Sequence, residues 1–218
     1  MSAAAAPHPI FLSGVAAFAL RTTPLQSDAQ GMTNAVYVSL SVRNKMVDLM
    51  AEKWVDGLGP LAYVGDAVFA VALWEHEDAL AIGLSASQRA AAGVAVADPV
   101  LVTPMTSKND WRVTRASKVV MAVRVLHGRE DAADKPITRQ ATAEAIHTRL
   151  DTHVLKVGQQ FTLPVGGKVL LCTVKSAYTE RPSNATERSI MQLSDIRGFM
   201  QLYPSTCIEL MTESVFAD

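Results

Sequence analysis

The sequence predicts a mixed α/β and β fold built from two subdomains. The chain has 218 residues, which is comfortable for two subdomains of about 100 residues each. Short runs of β-branched and apolar residues recur along it, as is typical of strands, and only a few segments have the apolar spacing of a helix. Hydrophobic residues make up 49% of the chain and charged residues 19%. This composition provides enough apolar surface for a core, so the chain is expected to fold.

The N-terminal segment differs from the rest of the chain. Residues 1–20 contain no Lys, Arg, Asp or Glu, and the stretch from Ile10 to Leu20 is largely apolar. This stretch is shorter than the roughly 20 residues that span a bilayer, and no cation precedes it as in a signal peptide. We therefore predict that residues 1–29 form a flexible arm.

The first subdomain is predicted over residues 30–104. The run at 33–39 has the β-branched and aromatic density of a strand. Apolar residues recur at helical spacing over 43–54, which predicts a helix. Two further strands are expected where apolar residues run without interruption, at 67–74 and 81–84.

A short helix is predicted over residues 85–93. Ser85 or Ser87 supplies an N-cap, and Gly93 allows the left-handed conformation that ends many helices. Its first turn is expected to present two polar side chains to solvent, Gln88 and Arg89. One more strand region follows at 94–103, and the polar residues 105–110 are the predicted linker between the subdomains.

The second subdomain is predicted over residues 111–218. Alternating apolar residues predict a strand at 118–126. Ala143, Ile146 and Leu150 share one face of the clearest helix in the chain, at 137–150, while Thr142 is expected to face water. The remaining predicted elements are a hairpin of strands 155–163 and 168–175 joined at Pro164 to Gly167, and two tail strands at 188–193 and 206–211.

Charge is balanced globally and uneven locally. The formal net charge is −1, so no global electrostatic attraction to nucleic acid or to an anionic membrane is predicted. Residues 40–78 hold seven acidic and three basic residues, whereas residues 107–139 hold eight basic and four acidic residues. Recognition by charge is therefore expected to be local, unless these segments are ordinary solvated surfaces.

Residue patterns for metal binding or for a disulfide are missing from the sequence. Cys172 and Cys207 lie 35 positions apart, which predicts two reduced thiols in a cytosolic protein. His147 and His153 flank the end of the predicted helix, and we expect them to be capping or surface residues. The sequence His76-Glu77-Asp78 lies in a predicted turn, where adjacent side chains rarely converge on one metal ion.

The sequence Gly166-Gly167-Lys168 partly matches a phosphate-binding loop, which reads GxxxxGK followed by Ser or Thr. Thr162 stands where the loop needs its first glycine, and Val169 stands where it needs a hydroxyl for magnesium. We therefore predict no nucleotide site and no cofactor in this chain.

Four segments, taken in order, resemble the amino-terminal domain of N-ethylmaleimide-sensitive factor. They are Thr33-Asn-Ala-Val-Tyr-Val, Phe69-Ala-Val-Ala-Leu, Ile82-Gly-Leu-Ser-Ala-Ser-Gln-Arg with Gly93, and Leu155-Lys-Val-Gly-Gln-Gln-Phe. The likeness runs from about residue 20 to 216, and the Ser-x-x-Gln-Arg and Val-Gly-Gln-Gln sequences are its most specific parts.

The resemblance implies a fold and a function. The fold would be a double-psi β-barrel subdomain followed by a smaller α/β subdomain, with a basic groove between them. The function would be to bind the soluble attachment protein on SNARE complexes, in the cytoplasm and without direct membrane insertion. ATP and magnesium would belong to separate ATPase domains, and the parent protein would be a hexamer.

The resemblance also implies which residues bind the partner. The arginine of the Gln-Arg helix corresponds to Arg89, and Gln88 beside it belongs to the same site. The family has a basic pair after the first strand of the second subdomain, and here only Arg129 of that pair is basic. Arg21 is the counterpart of an arginine in the N-terminal arm. The family's lysine and aromatic after Gln-Arg are replaced by alanines, which weakens the expected patch.

Two other functions remain open at this point. The same fold could be the head of a valosin-containing-protein-type ATPase, which recruits ubiquitin-handling cofactors. A different class is an enzyme on a double-psi barrel, such as a small decarboxylase. An enzyme of that class needs a catalytic or self-processed residue, and none stands out in this sequence.

Overall fold

The chain divides into two compact units, Met1–Trp111 and Arg112–Asp218. The computed structural model describes residues 9–12, 15–25, 27–49, 54–55, 59–106, 113–128, 137–182, 191–195, 198–211 and 216. The predicted linker at 105–110 lies largely outside the described residues.

The first unit is mostly β. Its described strands are β1 (Ile10–Leu12), β2 (Val15–Pro24), β3 (Ala35–Val38), β4 (Trp54–Val55), β5 (Gly59–Val64), β6 (Ala67–Leu73), β7 (Ala81–Leu84) and β8 (Pro99–Pro104). Its described helices are α1 (Asp28–Gly31), α2 (Leu40–Asp48) and α3 (Ala86–Ala92).

Six of these strands close into a barrel. The order around it is β2-β7-β3-β6-β5-β8, and β8 pairs with β2 to complete the circle. β1 and β4 extend the sheet outside the closed circle by pairing with β2 and β5. Closure removes the free edges that an open sheet would expose.

The connectivity of the barrel repeats after three strands. In chain order the barrel strands are β2, β3, β5, β6, β7 and β8, and counting continues from β8 back to β2. β2 and β7 are parallel, and the strands three places after them, β6 and β3, are parallel too. β2 pairs antiparallel with β8, and β6 pairs antiparallel with β5 in the same way. The same shift by three strands exchanges β3 with β7 and β5 with β8, so each of these two antiparallel pairs corresponds to itself. The strand order therefore has an internal two-fold pattern.

The interior of the barrel explains why these segments form strands. β6 reads Ala-Val-Phe-Ala-Val-Ala-Leu and is buried at every residue except the last, as expected for a strand covered on both faces. Phe18 and Leu20 of β2 join the same core. Val42 and Met46 on α2 pack against that core from outside the circle of strands.

The structure corrects three predictions for the first unit. Part of the predicted flexible arm, residues 15–24, is barrel strand β2, because its alternate apolar side chains fill the core. The helix predicted at 43–54 begins earlier, after the N-cap Ser39, and Trp54 belongs to a strand. Residues 59–64 form β5, a strand that the sequence does not predict because glycine and proline are uncommon in strands.

The second unit is also mostly β. Its described strands are β9 (Val113–Arg115), β10 (Lys118–Gly128), β11 (Val154–Lys156), β12 (Gln160–Val165), β13 (Lys168–Pro182), β14 (Met191–Asp195), β15 (Phe199–Gln201) and β16 (Cys207–Met211), and its described helix is α4 (Arg139–Leu150). One sheet has the order β12-β13-β10-β16, with β14 paired to β13, and a second has the order β11-β15-β9. The predicted hairpin is present as β12 and β13, joined at Gly166 and Gly167. Its first strand, predicted over 155–163, is divided between β11 and β12, which belong to different sheets.

Helix α4 packs its apolar side on the larger sheet. Ile146 and Leu150 are completely buried in the core of this unit, as predicted. Thr142 is buried as well, contrary to the prediction, because it lies one turn before Ile146 on the same face of the helix. Its hydroxyl is satisfied there by donating a hydrogen bond to the Thr138 carbonyl. Within the described residues, no helix has both the length and the apolar character to cross a bilayer.

Candidate partner-binding site

Helix α3 carries two of the four residues predicted to bind a partner. Ser85 is its N-cap, and the Ser85 hydroxyl accepts a hydrogen bond from the Gln88 backbone N–H at 3.3 Å. Gly93 ends the helix in the left-handed conformation at φ 71°, which favours glycine. The predicted cap and helix end are confirmed.

Gln88 faces inward, so the prediction that it points to solvent is wrong. Its side-chain Oε1 accepts a hydrogen bond from the Ser85 backbone N–H at 2.8 Å, which completes a capping box. Its Nε2 donates to the Ala35 carbonyl on β3 at 2.7 Å. The side chain is only 2% exposed. Gln88 therefore fixes helix α3 to the barrel and offers no contact surface to a partner.

Arg89 is half-buried and held in place. Its Nη1 donates a hydrogen bond to the Leu84 carbonyl, at the end of β7, over 2.7 Å. A guanidinium has five N–H donors, and the bond to the Leu84 carbonyl engages one of them. The bond orients the side chain before a partner arrives, which reduces the conformational entropy lost on binding.

Arg21 is exposed on β2, at the other end of the same strand pair. It lies opposite Ala81, the first residue of β7, whereas Leu84 is the last. At about 3.3 Å per strand residue, these two ends of β7 are separated by about 10 Å. The structure therefore places Arg21 and Arg89 at opposite ends of one barrel strand.

A shallow cleft of about 410 Å³ lies beside Arg21. Its lining residues include Ala19, Asp78, Leu80 and Pro99. The Asp78 carboxylate accepts a hydrogen bond from the Leu80 N–H at 2.9 Å, and the Leu80 carbonyl accepts one from the Arg21 N–H at 2.8 Å. The sequence did not predict that Asp78 and Leu80 are neighbours of Arg21. The only feature that pointed to them was the polar turn before the strand predicted at 81–84.

Arg129 lies outside the described residues, so its surroundings are not described. Other basic residues of the segment 107–139 contact groups within their own unit. Arg115 lies 4.3 Å above the Tyr203 ring, and Lys118 forms an ion pair with Glu209. The hydrogen bond to Glu209 is the main cause that raises the pKa of Lys118. Arg115 and Lys118, two of the basic residues in this segment, therefore already contact groups of the second unit.

Two titratable side chains in the described part of the second unit are buried, and burial shifts the pKa of each. Burial raises the pKa of the Cys172 thiol to about 12, which keeps it protonated. Burial also lowers the pKa of His153, which is 3% exposed, so the prediction that it lies at the surface is wrong; its ring instead contacts the carbonyl of Asp151, the residue that caps the end of α4. Among the described residues, no three His, Cys, Asp or Glu side chains come together as metal ligands.

Comparison with known proteins identifies no family for this chain. No family model matches the chain, and no curated protein matches it either.

Proposed function

We propose that this chain is the adaptor-binding N-terminal domain of a SNARE-disassembling AAA ATPase. In this proposal the chain recruits the soluble attachment protein bound to SNARE complexes, and ATPase domains outside this sequence act on the recruited complex. The chain itself is a binding domain with no cofactor, and it works in the cytoplasm, reaching membranes through its partners.

The strand order of the barrel is the observation that carries the proposal. A double-psi barrel has six strands in two interlocked, similarly connected halves. The two-fold pattern that relates β2, β3 and β5 to β6, β7 and β8 supports this topology. The second unit, with one described helix on a mixed sheet, is consistent with the smaller α/β subdomain.

The geometry of helix α3 supports the proposed docking mechanism. The Ser-x-x-Gln-Arg sequence begins directly at the end of a barrel strand, and its glutamine is a structural residue that anchors the helix. The arginine that follows is oriented by the Leu84 carbonyl. An anchored, preoriented cation is suited to an acidic adaptor surface, where charge complementarity governs the association rate and the choice of partner.

A pull-down separates this proposal from its alternative. The tagged full chain is incubated in turn with purified attachment protein–SNARE complex and with a ubiquitin-pathway cofactor of valosin-containing-protein-type ATPases. The proposal predicts capture of the first only. Capture of the cofactor alone would support the alternative, and capture of neither would reject both functions while leaving the barrel topology intact.

When Arg89→Glu is tested in the same pull-down, the charge-reversed chain Arg149→Glu is the control for non-specific charge effects. Arg149 is exposed on α4, in the other unit from α3. Its reversal changes the net charge as an Arg89 reversal does, but leaves helix α3 unchanged. The control is expected to capture the complex as the wild-type chain does.

A further inference from the structure

Two buried side-chain atoms lie on the turn that joins α4 to β11. They are Oδ1 of Asp151 and Nε2 of His153, and neither makes a hydrogen bond to the part of the chain that the structure describes. Buried polar atoms are almost always paired, since an unpaired one costs about 1–3 kcal/mol. Each of these two atoms, on residues separated only by Thr152, therefore needs a partner that the described chain does not supply.

The contact on the other side of the imidazole ring determines what Nε2 can do. Nδ1 of His153 lies 3.2 Å from the Asp151 carbonyl oxygen. A carbonyl oxygen can only accept, so Nδ1 carries the proton in this contact. In the neutral ring Nε2 is then an acceptor, and the Asp151 carboxylate is also an acceptor. The two atoms cannot satisfy each other while the ring is neutral.

The backbone of the turn is already fully engaged. The N–H groups of Asp151, Thr152 and His153 donate to the carbonyls of His147, Leu202 and Leu150. The carbonyl of Asp151 accepts from His153 Nδ1, and the carbonyl of Thr152 accepts from the Gln201 side chain. The carbonyl of His153 accepts from the Leu202 N–H. No backbone donor of this turn remains for the two side-chain acceptors.

We propose that Asp151 and His153 form a binding site for one internal water molecule, which donates a hydrogen bond to each. Water is the smallest molecule with two donors, and buried waters commonly serve polar atoms that the protein leaves unpaired. The bridge would tie the side chains on both sides of Thr152, which has the left-handed φ of 63°. That conformation is unfavourable for a β-branched residue, so the turn needs stabilising contacts.

Nuclear magnetic resonance of the full chain at pH 7.5 tests the site. The ¹⁵N shifts of His153 are expected to show a neutral ring protonated at Nδ1 and free at Nε2. Water-selective cross-relaxation is expected to give a signal between a long-lived water and the ring protons of His153. A ring protonated at Nε2, or the expected tautomer without any water signal, would overturn the proposal.

Two variants complete the test. Asp151→Ala removes one of the two acceptors and should abolish the water signal at His153. Asp48→Ala removes an exposed carboxylate on α2 and should leave that signal unchanged. A water signal that survives in Asp151→Ala at full intensity would contradict the shared site, and the wild-type measurements remain decisive if that variant does not fold.

Discussion

Gln88 should be the most sensitive residue of helix α3 for stability. Gln88→Ala removes the Oε1 atom that accepts from the Ser85 N–H and the Nε2 atom that donates to the Ala35 carbonyl. Ala35 is completely buried, so water cannot replace the second bond without a change in packing. Net hydrogen bonds contribute about 0.5–1.5 kcal/mol each, and a buried partner left unpaired costs about 1–3 kcal/mol. We expect Gln88→Ala to lower the free energy of unfolding by about 2–4 kcal/mol.

Urea denaturation followed by circular dichroism and tryptophan fluorescence measures this loss. Trp74 is buried in the same unit as helix α3 and reports its unfolding. Gln140→Ala is the matched control, since Gln140 is an exposed glutamine on α4 whose Nε2 donates to the Glu144 carboxylate. The control should change stability by less than about 0.5 kcal/mol. A Gln88→Ala chain as stable as the control would refute the anchoring role.

Three further predictions concern packing, pH and thiol reactivity. Gly83→Ala would place a Cβ 2.7 Å from a leucine methyl and 3.1 Å from a tryptophan ring. We therefore expect the free energy of unfolding, measured by urea denaturation, to fall by about 1–3 kcal/mol. Gly31→Ala, whose new Cβ has its nearest contact at 3.6 Å, should lower it by less. Because burial lowers the pKa of His153 from 6.5, the unfolded chain takes up the proton more readily. Stability should therefore be fully present above about pH 6.5 and fall as the pH is lowered through that value; a His153→Gln chain with the same pH slope would exclude this source. Maleimide labelling at pH 7.5 should modify the exposed Cys207 quickly and Cys172 only in urea, since Cys172 is buried with a pKa of about 12; equal labelling rates in the folded chain would contradict its burial.

Sequence patterns correctly predicted the elements whose structure depends on residues close to them in the chain. Ser85 and Gly93 predicted both ends of helix α3, because capping depends on residues within one turn. The uninterrupted apolar run of β6 predicted a buried strand. The Gly166-Gly167 turn predicted the hairpin of β12 and β13, because its two positive φ values favour glycine.

Elements that depend on distant partners were not predictable in this way. β2 lacks charge over most of its length and resembled an arm, but pairing with β7 and β8 makes it a barrel strand. β5 contains glycine and proline, and its pairing with β6 and β8 overrides their usual effect.

The same reason explains the partial success at the site. Arg89 was assigned to the correct helix, but the inward direction of Gln88 depends on the Ala35 carbonyl, 53 positions earlier in the chain. The burial of His153 likewise depends on Leu202, which pairs with the turn after α4. Sequence spacing on a single element carries no information about such contacts.

The most direct test of the proposed function is the affinity of the attachment protein–SNARE complex for a chain carrying Arg89→Glu and Arg129→Glu. The measurement is made at ~0.15 M salt, where the Debye length is about 8 Å and contacting charges still interact. The control chain carries Arg149→Glu and Lys175→Glu, two reversals at exposed positions. Circular dichroism verifies that each chain is folded, which matters because Arg89→Glu also removes the bond to the Leu84 carbonyl. We predict that the test chain loses detectable binding, that the control chain binds as the wild type does, and that wild-type binding weakens as salt is raised. A test chain that binds like the wild type, with an affinity insensitive to salt, would contradict docking through these arginines.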